Sequence, residues 1–221
     1  MLVIFDCDGV LIDSEVVYCA VDAEALTRLG HPTTAADIAK RFAGMAHRHA
    51  WATISEEIGF QPPDDWFEQL RLESVRRFET GLAIVPGADL ALSEVAALGH
   101  QVCTASSTSL PSLTANLEKA GLLHLLQPHV YSVSQVRRPK PAPDVFLYAA
   151  SQMGFDPDEC IVIEDSFAGI TAARRAGMRA IGFTGGGHAY DGLAERLCDA
   201  GAADLSNSMA DVIELIRRAG S

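Results

Sequence analysis

The sequence predicts an α/β protein, a doubly wound parallel sheet interrupted once by a helical insertion. Short apolar runs alternate with amphipathic stretches from residue 83 onward, the pattern of strands covered by helices on both faces. Acids and hydroxyls recur at the ends of those runs. The stretch after the first run holds helical periodicity alone for about 70 residues, too long for a connection between neighbouring strands.

The first strand is Leu2–Asp6, an apolar run ending on an acid. Residues 15–82 then read as amphipathic helices punctuated by Gly30-His31-Pro32, Gly44, Gly59 and Pro62-Pro63. Four further strands are expected at Gln101–Ala105, Val130–Ser132, Cys160–Glu164 and Arg179–Phe183. Helices fit Pro86–Leu98, Ser109–Ala120, Pro143–Met153, Phe167–Ala176 and Met209–Arg218. Gly99, Gly121, Gly154 and Gly177 come just after four of them, where a left-handed residue ends a helix. Gly185-Gly186-Gly187 reads as a local flexible turn after the fifth strand. The division that results is a Rossmann-like core at 1–14 and 83–221, with an all-helical cap at 15–82.

Composition narrows the function. The chain is 48% hydrophobic and 21% charged, so 221 residues can build a sizeable core. A net charge of −12 excludes a nucleic-acid partner, which needs a basic face. No apolar run is long enough to span a bilayer, and no signal peptide is visible, so no membrane partner is expected. Cys7, Cys19, Cys103, Cys160 and Cys198 are scattered and odd in number. They read as buried structural thiols in a reducing compartment, hence a cytoplasmic protein. A monomer is expected.

Ligands of open parallel sheets bind where the strands end. The first strand ends in Asp6 and Asp8, two residues apart and so on one side of an extended chain, with Cys7 pointing away. The second ends in Ser106, Ser107 and Thr108, where the hydroxyls and backbone N–H groups of Ser106-Ser107 can bind phosphate oxygens, and the fourth in Glu164 and Asp165. Lys140 stands alone between the third strand and the next helix. Facing carboxylates repel unless a cation or proton lies between them. Asp6, Asp8 and Asp165, with no softer ligand nearby, suit Mg2+. Each cluster has a plainer reading. A D-x-D pair also forms solvated turns, Ser106–Thr108 fits a helix N-cap, and Glu164-Asp165 fits a helix N-terminus. All four clusters in this order, each at a strand end, point to one site.

These residues resemble the haloacid-dehalogenase superfamily. The matching stretches are Phe5-Asp6-Cys7-Asp8-Gly9-Val10-Leu11-Ile12-Asp13-Ser14-Glu15, Thr104-Ala105-Ser106-Ser107, Lys140-Pro141-Ala142-Pro143-Asp144 and the segment from Ile163 to Gly177. The helical insertion is similar to the cap of the branch holding phosphoglycolate phosphatases, sugar-phosphate phosphatases and beta-phosphoglucomutases. The resemblance implies that Asp6 is the nucleophile, Asp8 the general acid/base, Ser106 the phosphoryl holder and Lys140 its electrostatic partner. It implies that Asp165, Asp6 and the Asp8 carbonyl bind Mg2+, with Glu164 adding a direct or water-bridged contact. Glu15, Tyr18, His47 and Arg48 are cap candidates for substrate binding, although Glu15 also suits a helix start and His47-Arg48 a solvated turn before a helix.

The expected substrate is a small phosphorylated metabolite, a sugar phosphate or a phosphorylated sugar acid such as 6-phosphogluconate. The Gly182-Phe183-Thr184-Gly185-Gly186-Gly187 stretch resembles phosphogluconate-type phosphatases. The nearest rival is a phosphosugar mutase, but Tyr18 stands where the resembling mutases have a histidine, and His47 where they have a phosphate-gripping arginine. Phosphonate hydrolysis would need a cap lysine, and Lys40 is the sole one there. The rival from another class is a receiver-like signalling module, which gathers acids, a hydroxyl and a lysine around Mg2+ but needs no cap. A dehalogenase has no use for an acid/base at Asp8.

Overall fold

The computed structural model describes residues 1–42 and 47–220. Its core is a six-stranded, all-parallel sheet in the order β3-β2-β1-β4-β5-β6. The strands are β1 (Leu2–Phe5), β2 (Gln101–Ser106), β3 (Val130–Ser132), β4 (Cys160–Glu164), β5 (Arg179–Phe183) and β6 (Asp204–Ser206). Every expected strand is present within a residue at its ends. The edge strand β6 is additional to them: three residues with polar ends give no alternation to read.

β1 is central, and its alternate side chains are divided between the two faces. Val3 and Phe5 join a cluster on one face with α5 (Ala88–Ala97), α6 (Leu110–Lys119), α7 (Leu123–Leu126) and α11 (Met209–Ala219). Leu2 and Ile4 join the opposite cluster with α8 (Asp144–Met153), α9 (Phe167–Arg175) and α10 (Leu193–Ala200). Burial on both faces explains why β1 reads as an unbroken apolar run. Each such fully buried side chain stabilises the fold by roughly 1.5–3 kcal/mol. Helices α7 and α10 are additional to those expected from sequence. Gly99, Gly121, Gly154 and Gly177 all take positive φ, between 73 and 86°, and so end their helices as expected.

Helices α1 (Ser14–Arg28), α2 (Ala35–Phe42), α3 (His47–Ile58) and α4 (Trp66–Thr80) form the insertion. They bury their own apolar cluster around Val21, Leu26, Ile38, Trp51, Ile54 and Leu70. Trp51 meets Phe60 and Trp66 edge to face, so the insertion is held by packing of its own. Its entry and exit are stitched together. Asp13 N–H donates to Ala83 O at 2.9 Å, and Val85 N–H to Leu11 O at 3.0 Å. Gly44, read as punctuation in this stretch, lies outside the described residues. His47 and Arg48 do not precede a helix but open α3.

The strand order reverses between β1 and β4. In open α/β sheets such a switch point leaves a crevice at the strand ends. Asp6, Asp8, Glu164 and Asp165 all lie there. No helix among the described residues is long and apolar enough to cross a membrane.

Candidate active site

The floor of the crevice is built around one ammonium. Lys140 Nζ donates to Asp6 Oδ1 at 2.5 Å, to Glu164 Oε1 at 2.8 Å and to the Ala105 carbonyl at 3.0 Å. An ammonium has three hydrogens, and all three are used. Burial would push the Lys140 ammonium down, but Asp6 and Glu164 hold it above the usual lysine range through charge and hydrogen bonds. The Asp6 backbone N–H donates to Ile163 O, pinning the nucleophile candidate between β1 and β4.

Asp8 faces hydroxyls instead of cations. Ser14 Oγ donates to one carboxylate oxygen at 2.6 Å, and Ser106 Oγ and Thr108 Oγ1 donate to the other at 3.1 and 2.8 Å. The paired acids thus enter different environments, Asp6 with Lys140 and Asp8 with Ser14, Ser106 and Thr108. Cys7 between them is fully buried in the apolar cluster, as its alternation implied. Burial, with Asp8 and Asp6 nearby, pushes its thiol well up, so it is a packing residue.

Glycines make this closeness possible at two places. Gly9 has φ +81°, and a Cβ there would stand 2.0 Å from Asp165 Oδ2. A Cβ at Gly169 would stand 1.7 Å from Glu164 Oε1. Glu164 Oε2 is in turn held by the Ser166 N–H and Oγ, both at 2.8 Å. Both Glu164 oxygens are therefore engaged by the protein.

Asp165 is turned onto a residue outside the sequence-derived candidates. His188 Nε2 lies 3.0 Å from Asp165 Oδ2, and the buried His188 Nδ1 has no hydrogen-bond partner among the described residues. Burial lowers the imidazole, but its bond to Asp165 and the acids around it raise it to about 9. The triglycine before it is a fitted element of the site. Gly187 N–H donates to Asp13 Oδ1, and a Cβ on Gly186 would meet the Gly9 carbonyl at 2.6 Å. His188 sits in the loop beyond the end of β5, just as Asp8, Thr108 and Asp165 sit beyond β1, β2 and β4. The rule that polar residues past strand ends mark the crevice therefore extends to it.

A cavity of about 500 Å³ covers this floor. Asp6, Asp8, Ser107, Thr108, Lys140, Glu164 and Asp165 line its base, and Glu15, Tyr18 and His47 line it from the insertion. Ser106 is fully buried, with its hydroxyl directed at Asp8. Ser107, expected to bind phosphate beside it, lines the cavity together with Thr108. Arg48 is not among the lining residues; its guanidinium lies over the Phe67 ring at 4.3 Å. Tyr18 packs edge-on against Phe78 and against the apolar cluster of the core, which ties the insertion to the core. Glu15 is pushed up to about 7, first by burial and then by Asp8. Four cysteines are buried as expected, but Cys198 is exposed.

Among the described residues no three His, Cys, Asp or Glu side chains gather in metal-holding geometry. Asp8 is turned onto its hydroxyls and Asp165 onto His188. The donor set nevertheless fits a hard divalent cation. Burial raises both Asp6 and Asp165, and neighbouring acids add to this against the opposing pull of Lys140 and His188. Asp6, Asp8, Glu164 and Asp165 line the cavity with Lys140 and His188 beside them, and the acids offer only oxygen donors.

A family model described as haloacid dehalogenase-like hydrolase matches residues 1–177. A conserved haloacid dehalogenase-like protein of unknown function from Agrobacterium tumefaciens superposes with a TM-score of 0.92 at 38% identity, covering 100% of this chain and 99% of that one. The 6-phosphogluconate phosphatase of Escherichia coli is 29% identical over 84% of this chain and 83% of its own length. The chloroplastic protein Suppressor of Quenching 1 of Arabidopsis thaliana is 35% identical over 81% of this chain. The match takes in 17% of that protein, so the chain spans less than a fifth of that relative's length.

Proposed function

The chain belongs to the haloacid dehalogenase-like hydrolases, and from that premise we propose that it hydrolyses the phosphate ester of a small polyhydroxy metabolite through a phospho-aspartate on Asp6. Residues 1–14 and 83–221 form the catalytic core in this reading, and residues 15–82 the cap that selects the substrate. A sugar phosphate or a phosphorylated sugar acid fits the cavity's size and its mixed lining. The Escherichia coli relative's name, 6-phosphogluconate phosphatase, supports that class.

The single observation that carries the reading is the split environment of Asp6 and Asp8. A carboxylate attacks an anionic phosphate poorly because like charges repel. Lys140, charged and buried against Asp6, offsets that repulsion and holds the attacking oxygen in place. Asp6 attacks phosphorus in line, a P–O bond to the carboxylate forms, and the bond to the leaving alkoxide breaks. Asp8 gives the alkoxide its proton. It then takes a proton from the water that attacks the acyl phosphate and frees Asp6. Ser14, Ser106 and Thr108 suit both states of Asp8, because a hydroxyl can donate to a carboxylate or accept from a carboxylic acid. Ser107 and Thr108 border the space for the phosphoryl oxygens.

Asp6, Asp165 and the Asp8 carbonyl would hold Mg2+, which when bound neutralises charge on the phosphoryl oxygens. The cap helices exclude bulk water from the floor. A long-lived signalling phospho-aspartate has no use for such a roof.

Phosphate release from a panel of sugar phosphates and sugar-acid phosphates tests the reading. Steady multiple turnover with Mg2+, lost on chelation and restored on readdition, is the expected result. Release of no more than one phosphate per chain, or activity indifferent to chelation, counts against it.

A further inference from the structure

The cap contributes a second polar cluster, apart from the floor. Asp22, on α1, is 6% exposed, an unusual burial for an acid that pairs with no lysine or arginine among the described residues. Its carboxylate accepts from Trp51 Nε1 at 2.9 Å and from His47 Nε2 at 3.0 and 3.1 Å. Trp51 is fully buried, so the indole fixes the carboxylate, and the carboxylate fixes the imidazole. The Phe67 ring meets His47 edge-on and limits its rotation further. Both Asp22 and His47 line the cavity.

This geometry sets what the cap can recognise. Asp22 has its oxygens occupied and acts through His47. A proton on Nε2, donated to Asp22, leaves Nδ1 as an acceptor in the neutral ring. Glu15 lies on the same stripe of α1, seven residues before Asp22, and adds a second acceptor group to the roof. Arg71 is the one arginine in the lining among the described residues, and its guanidinium is engaged by Glu68 through Nε and Nη2. The roof therefore offers acceptors at His47 Nδ1 and at Glu15, whose carboxyl burial pushes up to about 7, and carries the Asp22 carboxylate. Acceptors seek hydroxyl donors, whereas a substrate carboxylate would meet like charge.

We propose that Asp22 positions His47 as the cap's acceptor for a hydroxyl of the substrate, selecting neutral phosphorylated sugars or polyols over phosphorylated sugar acids. This rests on the phosphatase reading above and sharpens its substrate class.

The test compares a hexitol 6-phosphate with the matching six-carbon aldonic acid 6-phosphate, which differ only at the carbon farthest from the phosphate. Wild-type kcat/KM is expected to favour the hexitol ester by at least about tenfold, the worth of one well-placed hydrogen bond or an avoided like charge. In D22N, which keeps the side chain's size, and in H47F, which keeps a ring against Phe67, that ratio is expected to fall below about threefold, with KM for the hexitol ester rising more than kcat falls. Wild-type protein that hydrolyses the acid ester as well or better overturns the proposal. So do variants that slow both esters by one factor with KM unmoved, which marks a structural role. Turnover of other phosphate esters but neither of these overturns the proposal alone. Failure on every ester with Mg2+ present overturns the phosphatase reading with it.

Discussion

The floor and the roof of the cavity are built on different principles. On the floor, Lys140 directs three hydrogens at three acceptors, Asp8 takes three hydroxyls, and Glu164 is held at both oxygens. These groups are carried by the ends of parallel strands and the turns after them, whose positions the sheet ladder dictates. The roof is mostly apolar, with Ile38, Phe42, Phe67 and Leu70 around a few polar groups brought in by helix packing. Chemistry needs groups fixed relative to one another, and strand ends provide that. Selection of a substrate needs a surface that can vary without disturbing them, and in the proposed reading an insertion with its own small core supplies it.

The contrast is broken most directly on the floor. Asp8→Asn is expected to slow turnover roughly 100- to 10,000-fold, the usual worth of general acid–base help, with substrate affinity retained. Rapid-quench kinetics with equilibrium binding separates the two effects, and near-normal turnover by this variant removes the acid/base role.

A change beneath the floor comes next. Gly169→Ala puts a Cβ where Glu164 Oε1 now lies, so Glu164 or the start of α9 must shift. Overpacking of this kind costs about 1–3 kcal/mol, readable from urea denaturation. Activity is expected to fall with it, because Glu164 shares Lys140 with Asp6. Unchanged stability and activity together mean that the Glu164 carboxylate does not brace the lysine.

The smallest effect belongs to the outside of the cap. Arg41 reaches Glu57 at 2.6 Å, but both side chains are nearly half exposed. Arg41→Ala is expected to change stability by less than about 1 kcal/mol and to leave kcat/KM in place. A drop in activity here means that the cap is less separate from catalysis than its packing suggests.

The same contrast governs what is legible in the sequence. The floor is readable because apolar runs mark strands, and the polar residue after each run marks the crevice. Asp6, Asp8, Glu164 and Asp165 emerge from that rule, and Lys140 from its place as a lone cation between the third strand and the next helix. Its partial failures are physical too. Ser106 ends β2 as expected, yet its hydroxyl serves Asp8, since only folding brings residue 8 beneath residues 106 and 108. His188 is hidden behind three glycines that read as a flexible turn. In the cap, Asp22 looks like any helical acid until Trp51 and His47 close over it. Arg48 is a companion to His47 by sequence position, but adjacent residues on a helix point about 100° apart, and its guanidinium lies on Phe67. Helical periodicity shows which residues are apolar and not which partner they will meet. β6 is too short to show any period at all.

The central claim is that Asp6 carries the phosphoryl group. Acid-quenching the Asp8→Asn protein during turnover of a phosphate ester with Mg2+ and mapping the added mass by peptide tests it. One phosphoryl group on the peptide holding Asp6, absent when Asp6 is also changed to Asn, is the predicted result. A phosphoryl group on any other residue, or a product formed at full rate by Asp6→Asn alone, contradicts it.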